Sequence, residues 1–194
     1  MNGCNVIETL TGFKYIGEQM NIFDATGCGD FVIGYEESYG YLVGTHARDK
    51  DAVVASMLIC EMASYYKNQG KTLDDVMEEI YDKYGYFLDK LDSYTLKGID
   101  GVERIQAIMK EMRENGASLF EGIDKVNDYL PGLDGLPKAD VLKFIFKDSS
   151  WIAIRPSGTE PKIKVYYSVR GENKDEATKV LNARRSIINA IINA

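Results

Sequence analysis

One loop of the chain carries the residue types of an anion site. Between "WIAI" and "KIKVYYSV" the chain reads Arg155-Pro156-Ser157-Gly158-Thr159-Glu160-Pro161. Consecutive backbone N–H groups in a tight loop form a concavity that binds anions, and a glycine allows close approach. Ser157 and Thr159 add hydroxyl donors, and Arg155 presents a planar fork that matches phosphate oxygens. Lys162 and Lys164, on one face of the next strand, add positive charge. These residue types favour a phosphate clamp over a polar turn with an incidental arginine.

A second polar stretch, "GYEESYGYLVGTHARDKD", holds Glu36, Glu37 and Ser38 between glycines. Carboxylate and hydroxyl side chains on a loop suit the recognition of vicinal sugar hydroxyls, which donate to a carboxylate and accept from a neighbour. A pair of carboxylates for acid/base catalysis is a rival interpretation. Adjacent residues of an extended segment point to opposite faces, which disfavours a shared site for Glu36 and Glu37. A solvated loop before a helix cap is the third interpretation.

Composition and charge restrict the possible functions. The chain has 194 residues, of which 45% are hydrophobic and 27% charged, as is usual for a folded soluble protein. Its net charge of -7 disfavours a general nucleic-acid binder. It has neither an apolar run of the roughly 18 residues that a membrane span needs nor signal-peptide regions. Three cysteines without Cys-x-x-Cys and one histidine, His46, predict a cytoplasmic protein without disulfides or a structural metal. Each cysteine is expected to be buried or half-buried.

Helices and short strands are predicted for the first half of the chain. A short helix is expected after the first glycine-rich turn, and the apolar run Phe31–Ile33 predicts a strand that ends at the following glycine. Apolar spacings of three and four then predict a helix capped by Asp49 or Asp51. A second helix has Thr72 as its N-cap, with Asp75 completing a capping box. Two short strands offer little sheet to cover two helices, so this domain is expected to be incomplete.

The second half has the pattern of an α+β domain. The helical period is lost near residues 90–93, where we place a domain boundary that separates residues 1–92 from 93–194. The predicted elements are a strand at 93–96, a helix at 101–115, strands at 125–129, 141–146, 151–155 and 162–169, and a C-terminal helix. Segregated strands and helices favour an antiparallel sheet with helices packed on one face. The predicted fold class is therefore α+β, with a truncated α/β first domain.

Three motifs in order resemble the C-terminal part of the bacterial α-D-phosphohexomutases, the family of phosphoglucomutases and phosphomannomutases. They are "TLTGFKYIG", "GYEESYGYLVGTHARDKDAV" and, after a long interval, "RPSGTEPKIKVYYSV". Members of this family interconvert hexose 1-phosphate and hexose 6-phosphate, with a phosphoserine and a magnesium ion in upstream domains. The resemblance therefore implies an intramolecular phosphotransferase of carbohydrate metabolism.

The resemblance implies a role for seven residues of this chain. Glu36 and Ser38 would read the sugar hydroxyls, and Lys14 would line the cleft near the reacting groups as the candidate catalytic residue. The phosphate that is not transferred would be held by the loop residues Arg155, Ser157, Gly158 and Thr159. The segment "EESYG" is more similar to the glucose-preferring pattern, and mannose or pentose phosphates are the alternatives within the class.

Two motifs of the family are missing from the sequence. It contains neither the phosphoserine loop Thr-x-Ser-His-Asn-Pro nor the magnesium loop Asp-x-Asp-x-Asp-Arg. Phosphoryl transfer depends on positioning and on charge stabilisation by metal. We therefore expect this chain to hold no cofactor and to show no turnover as a fragment alone. The magnesium and the phosphoserine are expected in upstream domains of the same polypeptide. Its expected partner is a hexose phosphate, not a nucleic acid or membrane. The alternative is a non-catalytic small-ligand or partner-binding module.

Overall fold

A computed structural model describes residues 3–96, 98, 100–158 and 160–193. The chain forms two compact units, Met1–Met77 and Glu78–Ala194. The elements of the first unit, in chain order, are α1 (Phe13–Thr26), β1 (Ile33–Glu36), β2 (Gly40–Val43), α2 (Ala52–Lys67) and the start of α3 (Leu73–Tyr84). The division between the units falls within α3.

The first unit differs from the sequence-based prediction at its first strand. β1 starts at Ile33 and continues through Gly34, where the predicted strand was to end, because Gly34 pairs with Leu42 of β2 in an antiparallel hairpin. Gly34 is required by packing and does not stop the strand: a Cβ there would lie 2.5 Å from Cγ2 of Ile16 in α1. The helix after Gly12 is also longer than predicted, at 14 residues.

Side-chain caps start both α2 and α3 where the sequence predicts them. Of the two cap candidates for α2, Asp51 is the cap, since it accepts from the N–H groups of Val53 at 2.8 Å and Val54 at 3.1 Å. The capping box of α3 is confirmed. The N–H of Thr72 donates to Asp75 at 2.7 Å, and the N–H of Asp75 donates to the Thr72 hydroxyl at 3.1 Å.

A five-stranded antiparallel sheet organises the second unit, with spatial order β3-β7-β6-β5-β4. Its strands are β3 (Tyr86–Thr95), β4 (Ile123–Asp128), β5 (Leu142–Phe146), β6 (Trp151–Pro156) and β7 (Lys162–Gly171). Two helices, α4 (Gly101–Asn115) and α5 (Lys174–Asn193), complete it, with a short 3-10 helix at Gly116–Leu119. The predicted α+β arrangement is confirmed.

The helices pack on one face of this sheet around a single core. Every second residue of β6 and β7 points into it, namely Ile152, Ile154, Ile163, Val165, Tyr167 and Val169. The helices contribute to the same buried cluster with Ile105, Ile108, Met109, Met112, Leu181, Ile188 and Ile192. The alternate residues of β6 and β7, Arg155 and Lys164 among them, therefore point to the other face.

The edge strand β3 begins seven residues before the predicted strand. It pairs with β7 from Tyr86↔Gly171 to Thr95↔Lys162, so the sequence-based boundary between residues 92 and 93 falls inside it. The sequence does not predict the full length of this strand, because Asp92 interrupts the apolar pattern at a position that faces the core. That carboxylate accepts from Nε and Nη2 of Arg185 in α5, at 2.6 and 2.9 Å. A charged pair thus takes the place of an apolar contact at the sheet edge.

Candidate functional site

The loop between β6 and β7 is shorter than the sequence implied. Arg155 and Pro156 belong to β6, because they continue the register with Lys164 and Ile163 of β7. The N–H of Ser157 then donates to the Lys162 carbonyl at 2.8 Å and closes the hairpin. The phosphate-loop candidates are therefore divided between a strand end, which positions Arg155, and the loop itself.

Arg155 has an unsatisfied, buried donor. Its Nε is buried and has no hydrogen-bond partner within the described part of the chain. The residue directly opposite on β7 is Lys164, on the same side of the sheet. Like charges directly opposite each other destabilise a strand pair. Neither residue has an ion-pair partner among the described residues, so an anion between them would relieve the repulsion and satisfy Arg155.

The fold does not require glycine at position 158. It is exposed, its φ lies outside the left-handed region, and a Cβ built on it meets no atom within 4 Å. Space above this backbone is what the approach of a ligand needs. The half-buried Ser157 offers its hydroxyl only, since its N–H is used in the hairpin. Thr159 lies outside the described residues.

Two charges of the loop neutralise each other. Nζ of Lys162 lies 3.0 Å from both carboxylate oxygens of Glu160, so Lys162 is engaged and Lys164 remains as the second cation beside Arg155. The loop is also tied to the neighbouring strand, because the N–H of Leu96 donates to the Pro161 carbonyl at 3.0 Å. These bonds connect the described ends of the loop to the sheet.

In the first unit, the sugar-reading candidates lie at the tip of the β1–β2 hairpin. Glu36 ends β1 opposite Gly40, and Glu37, Ser38 and Tyr39 form the connection, with Tyr39 at a φ of 62°. Such three-residue loops require one left-handed residue. The Glu36 side chain is only 13% exposed, whereas Glu37 and Ser38 are exposed. The two glutamates therefore occupy different environments.

Lys50 is a neighbour of Glu36 that the sequence reasoning did not single out. Its Nζ lies 3.9 Å from Oε1 of Glu36 and 5.6 Å from the ring centroid of Phe13. A Cβ on Gly40 would lie 2.8 Å from that Oε1 and 2.9 Å from Cδ of Lys50. The absence of a side chain at Gly40 thus leaves room for the side chains of Glu36 and Lys50 beside the hairpin backbone. This glycine was the feature of the sequence that could have indicated their proximity.

Lys14 and His46 stand apart from this pair. Lys14 is exposed in the first turn of α1, with Nζ 4.8 Å from the Tyr15 ring centroid, and it forms no ion pair with Glu36 in the described structure. Nε2 of His46 lies 2.8 Å from Oδ2 of Asp51, and this hydrogen bond holds the pKa of Asp51 below its usual range. His46 therefore supports the cap of α2.

The described part of the chain offers neither a cluster of metal ligands nor a membrane-spanning helix. No group of three His, Cys, Asp or Glu side chains there is placed to hold a metal ion. None of the helices, over the residues described, has the length and apolarity needed to cross a membrane. Cys4, Cys28 and Cys60 are free and exposed, so the expectation of buried cysteines is wrong.

Comparison with known proteins identifies the family. Residues 1–84 match the family description "Phosphoglucomutase/phosphomannomutase, alpha/beta/alpha domain III", and residues 95–185 match "Phosphoglucomutase/phosphomannomutase, C-terminal domain". The chain belongs to the phosphoglucomutase/phosphomannomutase family.

Individual relatives are similar over nearly the whole chain. A phosphoglucomutase of Staphylococcus aureus strain bovine RF122 / ET3-1 is 40% identical over 195 residues, covering 94% of this chain and 35% of the relative. That of strain N315 is 38% identical with the same coverage. A crystal structure of Paramecium pp63/parafusin in its open form has a TM-score of 0.70 at 23% identity, covering 96% of this chain and 34% of that one. The chain thus spans about a third of the length of the curated relatives.

Proposed function

We propose that this chain is the sugar- and phosphate-binding part of a phosphohexomutase, an intramolecular phosphotransferase that interconverts hexose 1-phosphate and hexose 6-phosphate. The observation that carries the proposal is the pair of cations, Arg155 and Lys164, which have no ion-pair partner among the described residues and lie beside the open backbone of Gly158. Glucose is the proposed sugar, because the relatives at 38–40% identity are phosphoglucomutases.

Each unit of the chain carries one recognition element. In the second unit, Arg155, Lys164 and the Ser157 hydroxyl hold the phosphate that is not transferred. In the first unit, Glu36 accepts hydrogen bonds from sugar hydroxyls and Ser38 donates to them. Lys50 lies beside Glu36, with its Nζ shared between Glu36 at 3.9 Å and Asp49 at 3.2 Å. Gripping a non-reacting group supplies binding energy that positions the reacting hydroxyl. Lys14 is proposed to lie near the reacting groups in the complete enzyme.

The chemical step is assigned to residues outside this chain. The sequence has no phosphoserine loop, and the described side chains do not fit a magnesium ion, since no cluster of three suitable ligands occurs among them. We therefore place the family's magnesium and phosphoserine in upstream domains of the same polypeptide, and we expect no mutase turnover from this chain alone. The cytoplasmic location stays a prediction.

Calorimetric titration of the chain with glucose 1-phosphate, inorganic phosphate and glucose tests the proposal. Both phosphates should bind and glucose alone should not. Arg155→Ala should weaken phosphate binding about tenfold or more, since it removes a charge-assisted contact. Lys147→Ala, which removes an equal charge from the exposed β5–β6 turn, is the matched control and should bind as the wild type. Equal weakening by both variants would show nonspecific attraction and contradict the proposal.

A further inference from the structure

The strand β3 forms an exposed edge of the five-stranded sheet. Among the described strands, β7 is its only neighbour. It is 10 residues long, against the usual length of about five or six. Leu91 near its centre is 45% exposed, and Asp89, Lys90 and Ser93 around it are also exposed. A long, exposed edge strand is a template for pairing with a strand of another chain.

The hydrogen bonds to β7 determine which backbone groups of β3 are available. Leu96 lies opposite Pro161 in the continued register, and its N–H donates to the Pro161 carbonyl at 3.0 Å. Opposite residues of an antiparallel pair alternate between hydrogen-bonded and non-hydrogen-bonded pairs. The even-numbered residues of β3 therefore direct their N–H and C=O groups toward β7. The odd-numbered residues, including Leu91, direct theirs away from the sheet.

The opposite edge of the sheet is protected against such pairing. The strand β4 has 6 residues and an irregularity between Ile123 and Lys125, where its register with β5 shifts. Short edge strands and bulges prevent pairing with another chain. The register of β3 with β7 runs without a shift from Tyr86↔Gly171 to Thr95↔Lys162. Pairing through β3 therefore ends at two copies and does not propagate into a fibre.

The side chains around Leu91 are complementary to themselves. A two-fold axis at Leu91 places this residue opposite its own copy, and it places Lys90 opposite Asp92 of the second copy. Lys90 and Asp92 lie on the same side of the sheet as Leu88, which packs against the core. Lys90 has no ion-pair partner within the described part of the chain. Opposite charges at directly opposed positions stabilise a strand pair.

The existing partner of Asp92 leaves room for this contact. Its carboxylate accepts from Nε and Nη2 of Arg185. A carboxylate has about four acceptor positions, so it can also accept from the ammonium group of a lysine. Asp89 is placed opposite Ser93 of the second copy, whose hydroxyl can donate to it. Each charged side chain at the centre of β3 thus meets a complementary group.

Other registers are disfavoured by charge. Only registers that oppose outward-directed residues of both copies can form hydrogen bonds. Moving the two-fold axis by one residue therefore opposes Lys90 to its own copy in one direction and Asp92 to its own copy in the other. Like charges directly opposite each other destabilise a strand pair. The charges of β3 thus select the register centred on Leu91.

We propose that β3 pairs with β3 of a second copy of this chain, antiparallel about a two-fold axis at Leu91, and joins two five-stranded sheets into one continuous sheet. Such an interface is isologous, because each copy contributes the same surface. A single strand pair buries less than the standard interface of about 1,600 Å², so the dimer is weak. Its dissociation constant is expected on the order of 100 µM. The dimer does not depend on the proposed function.

Sedimentation equilibrium of the chain, from about 10 µM to about 1 mM, tests the proposal. The data should fit a monomer–dimer equilibrium. Leu91→Arg opposes two cations across the axis and should raise the dissociation constant about tenfold or more. Leu130→Arg is the matched control, because it introduces the same side chain at a residue 48% exposed outside β3. This control should dimerise as the wild type does.

Disulfide trapping tests the register. The exposed Cys4, Cys28 and Cys60 are first replaced by serine. In this background, Leu91→Cys should form a covalent dimer on mild oxidation, because opposed Cα atoms of a hydrogen-bonded pair lie about 5.5 Å apart, within disulfide range. Lys90→Cys is the matched control. In the register centred on Leu91 its Cα lies roughly 8 Å from its copy, too far for a disulfide.

Four results would overturn the proposal: a chain that stays monomeric at about 1 mM, a dimer that tolerates Leu91→Arg, assembly beyond the dimer, or trapping of Lys90→Cys as fast as Leu91→Cys. Leu91→Arg should still bind glucose 1-phosphate as the wild type does, because Arg155 and Lys164 are unchanged. A dimer without phosphate binding would contradict the proposed function alone, and phosphate binding by a strict monomer would contradict the pairing alone.

Discussion

Replacing Gly158 by alanine should weaken phosphate binding without weakening the fold. A Cβ at this exposed position meets no atom within 4 Å, and the backbone φ is one that alanine adopts without strain. The free energy of unfolding should change by less than about 0.5 kcal/mol, the usual range for surface substitutions. A slight gain in stability is also compatible with the prediction, because alanine reduces the conformational entropy of the unfolded chain.

The loss of binding follows from the position of the new methyl group. It would stand beside the backbone N–H of Gly158, which has no hydrogen-bond partner among the described residues. An anion displaced from that N–H loses one charge-assisted hydrogen bond, about 1.5–3 kcal/mol. The dissociation constant for glucose 1-phosphate should therefore rise about tenfold to hundredfold.

Urea unfolding followed by circular dichroism, together with calorimetric titration, separates the two effects. Gly116→Ala is the matched control, because a Cβ there would lie 2.6 Å from Cζ of the buried Phe144. That variant should lose about 1–3 kcal/mol of stability through overpacking and still bind phosphate when folded. Wild-type affinity in Gly158→Ala, or a stability loss above about 1 kcal/mol, would contradict this prediction.

Two further predictions concern charges that hold the elements. Asp92→Ala should reduce the free energy of unfolding by about 2 kcal/mol, because it leaves Arg185 without its partner. The loss is smaller than for a fully buried pair, since the Arg185 side chain is 33% exposed. An unchanged urea midpoint would contradict this. Hydrogen bonds from the Thr72 hydroxyl and N–H lower the pKa of Asp75. Its stabilising effect is present above the ordinary carboxyl pKa and is lost as pH falls through the folded value. NMR titration of the Asp75 carboxyl should give a depressed midpoint, and an ordinary one would contradict the capping box.

The sequence predicts elements well where apolar spacing reports the core directly. The bounds of α4 agree with the prediction and those of β5 to β7 lie within two residues of it, because residues such as Ile105 and Val165 point into one buried cluster. The prediction failed at β3, where Asp92 faces the core side and is neutralised by Arg185 from α5. A partner so distant in the chain cannot be read from local periodicity.

The candidate site shows the same limit. Residue types predict an anion-binding loop at Arg155, because guanidinium, hydroxyl and glycine are interpretable without a fold. The pairing of Arg155 with Lys164 depends on the register of β6 and β7. The hydrogen bond between Lys162 and Glu160 depends on the geometry of the loop. Which lysine remains free for an anion is therefore a property of the folded hairpin.

We propose that this chain binds the phosphate of a hexose phosphate at the β6–β7 loop. The most direct measurement is an NMR titration of the ¹⁵N-labelled chain with glucose 1-phosphate. The predicted result is a set of amide shifts centred on Ser157, Gly158 and Lys164, absent in Arg155→Ala. Shifts centred on another surface, or a loop that does not respond at saturating ligand, would contradict it.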